Sequence, residues 1–337
     1  MTQELMAILG ILLFPGFLFF SVLGLFFEWI DRKFYAKLQN RVGPLYTGPW
    51  GLLQPFADFV KLMAKEDIIP EGTDKPIFSL VPIFALTLAL FATLFLPVCG
   101  PRGLISFEGD IIVLAVVLTI LVILVFLGGL SSASRYSEVG AERSVLQLLG
   151  YEIPLVASVL GAVALTIGLG GSLSIEKIVE AQQGWKWGVL GFQALGFAIF
   201  LLAAQAELER VPFDIPEAET EIVAGWATEY SGKKLALLRL ARDVELAFLC
   251  GLGATLFLGG PQPIISSDLG GTVLSTVLFV IKSVVVLLLL TIIRAAMSRL
   301  RIDQMVNFAW KWLVPLSILQ LLLAVVVAPL IAYLMTL

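Results

Sequence analysis

Seven carboxylates and one arginine crowd a single stretch of this chain: Glu207, Glu209, Arg210, Asp214, Glu217, Glu219, Glu221 and, a little further on, Glu229. Pro212 and Pro216 interrupt the stretch, and long apolar segments flank it on both sides. Carboxylates brought close together raise one another's proton affinity, which suits groups that take up and release protons near neutrality. In a helical arrangement Asp214, Glu217 and Glu221 fall on one face through their three-and-four spacing. Two plainer readings stand beside this one. The stretch is a solvated acidic loop, or Arg32, Lys33, Arg41 and Arg143 pair with its acids and make part of it structural glue.

Two more ionisable residues lie inside apolar segments, where charge is costly and usually functional. Glu152 sits in Leu149-Gly150-Tyr151-Glu152-Ile153-Pro154-Leu155. Pro154 lacks a backbone donor and bends a helix, so this carboxylate can reach water or a polar neighbour. It handles protons or ions, or an internal partner neutralises it for packing. Lys282 is surrounded by Val, Leu and Ile. It is a candidate relay, and equally a partner that neutralises a carboxylate on a neighbouring helix, such as Glu152. Asp243 and Glu245, beside Arg242, read as a salt-bridged helix end.

The elements that must position these residues are membrane spans. The chain has 337 residues, of which 59% are hydrophobic and 14% charged, against roughly 25% charged in a soluble domain. Its mean hydropathy is +0.97. The apolar runs are long enough to cross a core of about 30 Å as helices of about 20 residues, and too continuous for alternating barrel strands. There is no histidine, and the two cysteines, Cys99 and Cys250, are far apart. Haem, zinc and iron–sulfur sites draw on His and clustered Cys, so no metal and no redox centre is expected in this chain. The cysteines read as packing residues, not a disulfide. No phosphate-cradling glycine loop occurs, and no basic cluster points to nucleic acid. The first apolar segment lacks the basic start and small-residue cleavage site of a removed signal peptide.

The expected fold is all-α: one polytopic membrane domain over 1–337, with eight spans near 5–27, 77–98, 111–131, 145–169, 187–206, 244–260, 272–296 and 313–334. Eight spans put both termini on one side. Eighteen Lys and Arg fall in the odd-numbered loops and three, Arg102, Lys177 and Lys186, in the others. That bias makes the loops 28–76 and 207–243 cytoplasmic and both termini external in a cell membrane. Within the first loop, Phe56, Phe59, Val60 and Met63 alternate with Asp58, Lys61 and Lys65 behind Pro55. This predicts a short amphipathic helix that lies on the membrane or docks on a partner. No internal repeat is visible, which disfavours the inverted-repeat plan of many secondary transporters.

Four groups of residues together resemble one family. The first group is Asp31-Arg32-Lys33, Gln39-Asn40-Arg41-Val42-Gly43-Pro44, Gly48 to Asp58 with Gln54 and Asp58, and Lys61-Leu62-Met63-Ala64-Lys65-Glu66. The second is Tyr136, Arg143, Gln147 and Tyr151-Glu152-Ile153-Pro154. The third is Ala206-Glu207-Leu208, Pro212-Phe213-Asp214-Ile215-Pro216-Glu217-Ala218-Glu219, Glu221 and Thr228-Glu229-Tyr230-Ser231-Gly232. The fourth is Lys282, Arg294, Arg299, Arg301, Asp303-Gln304, Trp310-Lys311 and Pro315. They run in order through nearly the whole chain and resemble the membrane-embedded H subunit of respiratory complex I (NADH:quinone oxidoreductase), with its counterparts in membrane-bound hydrogenase and sulfane reductase complexes.

The resemblance implies a subunit that anchors a peripheral iron–sulfur arm on the cytoplasmic side and contacts antiporter-like and small membrane subunits. It couples electron transfer to H⁺ or Na⁺ translocation. Asp214, Glu217, Glu219, Glu221 and Glu229 would receive ions from a chamber. Glu152 would be the carboxylate within the membrane and Lys282 a charged partner. Arg41, Gly43 and Pro44 would shape the chamber mouth, with the Gln54–Glu66 helix bracing it. Arg143, Tyr151, Pro212, Pro216, Arg294 and Arg299 belong to the same implied surface. The iron–sulfur clusters would sit in the partners. The chain departs from quinone-dependent members at Leu45, Arg242-Asp243 and Ser298, and adds Glu138 and Glu142. These departures favour the ferredoxin-driven hydrogenase or sulfane reductase branch over a quinone site. A stand-alone ion transporter and a purely structural anchor remain as readings of other classes.

Overall fold

The computed structural model describes residues 2–169, 171–183, 187–191, 193–263 and 269–336. Among them the regular structure is entirely helical. In chain order the α-helices are α1 (Thr2–Leu12), α2 (Phe17–Leu38), α3 (Gln54–Ala64), α4 (Lys75–Thr93), α5 (Asp110–Ser131), α6 (Arg135–Val163), α7 (Ile175–Ala181), α8 (Ala194–Glu207), α9 (Glu219–Ile222), α10 (Gly232–Leu258), α11 (Leu269–Ala296), α12 (Ile302–Phe308) and α13 (Val314–Thr336).

Six stretches are long and apolar enough to cross a membrane: Ile8–Leu38, Lys75–Thr93, Asp110–Ser131, Arg135–Thr166, Gly270–Ala296 and Ile302–Val326. The places of the other two expected spans are taken by α8, with only 14 residues, and by the charged helix α10. The chain is thus an all-α polytopic membrane protein. Several limits move. The expected span 5–27 is broken between α1 and α2, because Pro15 has no amide hydrogen to donate and a Cβ on Gly16 would lie 1.8 Å from the Ile11 carbonyl oxygen. The helix then runs on to Leu38, through residues read from sequence as loop. Residues 232–243, also read as loop, form the first turns of α10.

α10 lies at the centre, packed on α2, α3, α4 and α11, and every residue from Val244 to Leu258 is buried. Two glycines permit this approach. A Cβ on Gly251 would meet Leu96 at 2.8 Å, and one on Gly253 would meet Phe200 at 2.7 Å. Helices in lipid gain little from the hydrophobic effect and associate through such close packing and through hydrogen bonds. An outer layer consists of α5 between α4 and α6, with α8 and α13 against α6. The C-terminal helix is held by an amide bridge. Gln320 Nε2 donates to Gln193 Oε1 at 2.7 Å, and Gln193 Nε2 to the Gly161 carbonyl at 2.5 Å. The expected amphipathic helix is present as α3, with Pro55 in its first turn and Phe56, Val60 and Met63 exposed along one stripe.

Candidate functional site

The acidic loop between α8 and α10 is not a helix with a single acidic face. Only Glu219–Ile222 is α-helical, with a single 3-10 turn at Gly225–Ala227, and Asp214, Glu217 and Glu221 turn to three different arginines. Arg299, in the link from α11 to α12, reaches Asp214 Oδ1 at 3.1 Å and donates to the Asp214 carbonyl at 2.8 Å. Arg143 on α6 pairs with Glu221. Arg242 on α10 lies 3.8 Å from Glu217 and binds Glu209 closely. The Leu300 amide donates to the Pro212 carbonyl at 3.1 Å. Gly225, at φ +56°, closes the loop on itself: a Cβ there would sit 1.7 Å from the Pro216 carbonyl oxygen. The side chain of Glu219 lies outside the described residues. Glu229 is half-buried and makes no ion pair among the described residues.

Of the four basic residues expected to meet these acids, Arg143 does so. Arg32 instead binds Glu28 and Asp58, each at 2.7 Å. Lys33 donates to the carbonyls of Pro44 and Trp50, and Arg41 to the Gln39 side chain. The arginine contact holds the Glu221 carboxyl below its ordinary value, mainly through the hydrogen bond from Arg143. Glu217 moves the other way. Nearly half of its side-chain surface remains accessible at 45%, yet burial under the folded loop raises its proton affinity against the pull of Arg242.

Arg242 carries the arrangement inward. It is not part of a salt-bridged helix end with Asp243 and Glu245, as the sequence suggests, because all three lie well inside α10. Its guanidinium rests 5.5 Å from the Trp226 ring, whose Nε1 donates to Glu209 Oε2 at 3.3 Å. Beside this group is a void of about 20 Å³, bordered by Glu207, Glu209, Arg242, Glu245, Trp226 and aliphatic side chains. A second void of about 30 Å³ is bordered by Glu207, Tyr151, Glu152, Thr119 and aliphatic side chains. Glu207 therefore borders both. Each void has room for a water, which needs about 10–15 Å³. Glu152 ends the sequence of groups, with Thr119 Oγ1 at 2.7 Å from its Oε1. Thr119 is also 3.0 Å from the Ala115 carbonyl, so its one hydroxyl proton is contested between the two oxygens.

Lys282 lies elsewhere. Its ammonium donates to the Gln262 carbonyl at 2.6 Å and sits 4.7 Å from the centre of the Trp187 ring. It does not neutralise Glu152: α11 packs on α2, α8 and α10, while Glu152 is on α6 and meets α5.

A second ladder joins residues that the sequence offers in separate motifs, with Glu28 added between them, and ties the first loop to the bundle. Asp31 is fully buried. It accepts from Thr291 at 2.7 Å and from Arg294 at 2.6 Å, and Arg210 lies 3.1 Å away. Arg210 also meets Glu28 at 3.1 Å, Glu28 meets Arg32, and Arg32 meets Asp58. Gln54 donates to Asp58 at 2.9 Å and accepts from Thr47. A Cβ on Gly43 would come within 3.1 Å of Lys33 Cα, so the Gly43-Pro44 turn lies flat on α2. Lys61 on α3 and Lys65 just after it are exposed, as are Tyr46 and Trp50 in the segment before the helix. Glu28, Glu209 and Glu245 carried a usable signal, namely acids at or inside the ends of apolar runs.

Known proteins share this outline. The family model described as NADH dehydrogenase matches residues 10–325. The H subunit of NADH-quinone oxidoreductase from Dehalococcoides mccartyi is 42% identical over 309 residues, covering 91% of this chain and 83% of the relative. That of Brevibacillus brevis is 41% identical, covering 95% and 92%. The H subunit of F(420)H(2) dehydrogenase from Methanosarcina mazei is 37% identical, covering 88% and 87%. These relatives lend no support to the hydrogenase or sulfane reductase branch. One of the departures that favoured it, Arg242, has a local cause in its pairing with Glu209. With residues 10–325 matched by the family model and these relatives aligned over most of their length, the chain belongs to the NADH dehydrogenase family of complex I-type membrane proteins, among their H subunits.

Proposed function

We propose that this chain is the coupling subunit of an ion-translocating oxidoreductase. Its acidic loop receives charge changes from a redox partner, and Glu152 answers them within the membrane. The observation that carries the reading is the position of Glu207 on both voids, which joins Glu217, Arg242 and Glu209 at the loop to Tyr151, Thr119 and Glu152 in the bundle. Electron transfer belongs to peripheral iron–sulfur subunits docked on the cytoplasmic face. The exposed side chains of Tyr46, Trp50, Phe56 and Val60 are available to such a partner. Antiporter-like and small membrane subunits would continue the path. We take a quinone as the acceptor, following the names of the NADH-quinone relatives, with a ferredoxin-driven complex as the second reading on the strength of Leu45 and Ser298.

The physical requirement is modest, since a one-unit change in proton affinity is about 1.4 kcal/mol and moving one nearby charge at low dielectric supplies that. Glu152→Gln should abolish ion pumping while the assembly still purifies intact; wild-type pumping and turnover in that variant would refute the role given to Glu152. The acceptor is tested on the complex purified through a tag on this subunit and supplied with a reduced donor. Inhibitor-sensitive quinone reduction supports the quinone reading. Hydrogen or sulfide formation without quinone reduction replaces it with the ferredoxin-driven one.

A further inference from the structure

The last span begins with a polar groove that has no part in either ladder. It runs along α12 and the turn that follows, has a volume of about 400 Å³, and is lined by Asp303, Gln304, Asn307, Phe308, Lys311 and Trp312. Asp303, Asn307 and Lys311 make one ridge at four-residue steps, and Gln304, Phe308 and Trp312 make the other. Between α12 and α13 the helix widens into a π turn, Ala309–Leu313. Such turns are rare and frequently mark functional positions. Met305 and Ala309 are buried against Gly150 of α6. On the open side Trp310, Lys311 and Trp312 are exposed in succession. Asp303 and Lys311, both exposed, lie two turns apart and do not pair. Neither side chain has an ion pair or a hydrogen bond among the described residues. Asn307 donates to the Asp303 carbonyl at 2.8 Å, and Gln304 Oε1 accepts from the Arg301 amide at 3.1 Å. The Gln304 amide nitrogen and the Asn307 amide oxygen therefore keep unused hydrogen-bonding capacity.

Past Lys311 the same face turns apolar. Pro315, Leu319, Leu322 and Val326 follow at three- and four-residue steps, and the last three are 49%, 59% and 65% exposed. Charges of both signs at the end of the span, then two tryptophans, then aliphatic side chains reproduce the order of groups along a phospholipid, with tryptophan at the level where head meets chain. We propose that this groove binds the headgroup of one phospholipid that carries both a phosphate and a primary ammonium, a phosphatidylethanolamine. Lys311 meets the phosphate, with the Gln304 amide nitrogen as a second donor. Asp303 meets the ammonium, with the Asn307 amide oxygen as a second acceptor. The acyl chains lie along Leu319, Leu322 and Val326. A purely anionic head would set like charge against Asp303. A partner helix would favour small residues at a close contact, and this face offers two tryptophans and a lysine. The inference goes beyond the coupling reading and stands or falls without it.

The test has two arms, both on the intact complex. In the first, photoreactive benzoylphenylalanine replaces Asn307, membranes are irradiated, and the complex is purified through a tag on this subunit. The expected adduct on this chain has the mass of a phosphatidylethanolamine; a crosslink to a neighbouring subunit overturns the proposal. In the second, the complex is stripped of loosely held lipid with detergent and offered phosphatidylethanolamine or phosphatidylglycerol in mixed micelles. Native mass spectrometry then counts the molecules retained. Lys311→Gln and Asp303→Asn should each weaken retention of one phosphatidylethanolamine by about fivefold, the upper range for an exposed charge pair, and Lys311→Arg should restore it. Retention that is the same in wild type and both variants overturns the proposal. So does equal loss of phosphatidylglycerol and phosphatidylethanolamine in Asp303→Asn, because the acid then plays no part in choosing the head.

Discussion

At the scale of single residues, the acidic loop is a set of carboxylates held at different proton affinities. Glu221, lowered by Arg143, is ionised throughout the neutral range, and its contact contributes to the fold above the ordinary value of 4.5, being lost as pH falls through its lowered value. Glu217 is raised, so its neutral form contributes below 4.5 and that contribution is lost as pH rises through the raised value. Thermal unfolding of the complex, followed from acid pH below 4.5 up to neutrality, should therefore show opposite trends, Glu221 acting below 4.5 and Glu217 above it. Relative to wild type, Glu217→Gln gains stability as pH rises and Glu221→Gln loses it; parallel curves for the two variants would contradict the assignment. The unusual composition of this loop was legible in the sequence, and so was Glu152 beside Pro154. The pairing was not. Arg242 and Glu209 are separated by 33 positions, and nothing local in either neighbourhood specifies the other, so the sequence shows Arg242 as a departure and not as the partner of Glu209.

At the scale of elements, loop and helix terminus are built around a few close approaches. The turn at Gly225 presses on Pro216 and delivers Trp226 onto Arg242. Gly225→Ala requires a left-handed alanine, costing about 1–2 kcal/mol, and places a methyl group on a carbonyl oxygen besides. The variant should lower the melting temperature and reduce coupled turnover more than electron transfer to an artificial acceptor. Equal losses of both would show that the turn serves folding alone. Periodicity marked α3 correctly because its polar and apolar residues alternate at helical spacing. It misplaced the start of α10, where Lys233, Lys234, Arg239 and Arg242 make the first turns resemble a loop. The same charges are helical there because loop and neighbouring helices supply their partners, as Asp67 does for Lys234.

At the scale of the molecule, two polar ladders lie within one apolar bundle. One leads from Glu217 to Glu152; the other links Arg294, Asp31, Arg210, Glu28, Arg32 and Asp58 across α11, α2, the acidic loop and α3. Asp31 is the hub of the second, fully buried between two guanidinium groups. Removing one partner of such a buried set typically costs about 3–5 kcal/mol. Asp31→Asn should accordingly lower the yield of assembled complex and its melting temperature, and an unchanged melting temperature would show the ladder to be dispensable. Sequence located six of the eight expected spans as long apolar helices, since each of those rests on a sustained apolar run. It did not indicate this ladder, whose members Asp31 and Arg294 are 263 positions apart.

The central place of α10 bears on how the protein is made. Six stretches qualify as spans by their own composition, and α10 is not among them. A helix carrying Arg239, Arg242, Asp243 and Glu245 gains little by entering lipid alone. Its neighbours α2 and α4 are synthesised before it and α11 after it. Insertion of α10 thus awaits a bilayer already furnished with the walls of its slot, and biogenesis becomes an assembly reaction in which the most buried helix is admitted by its neighbours instead of by the membrane.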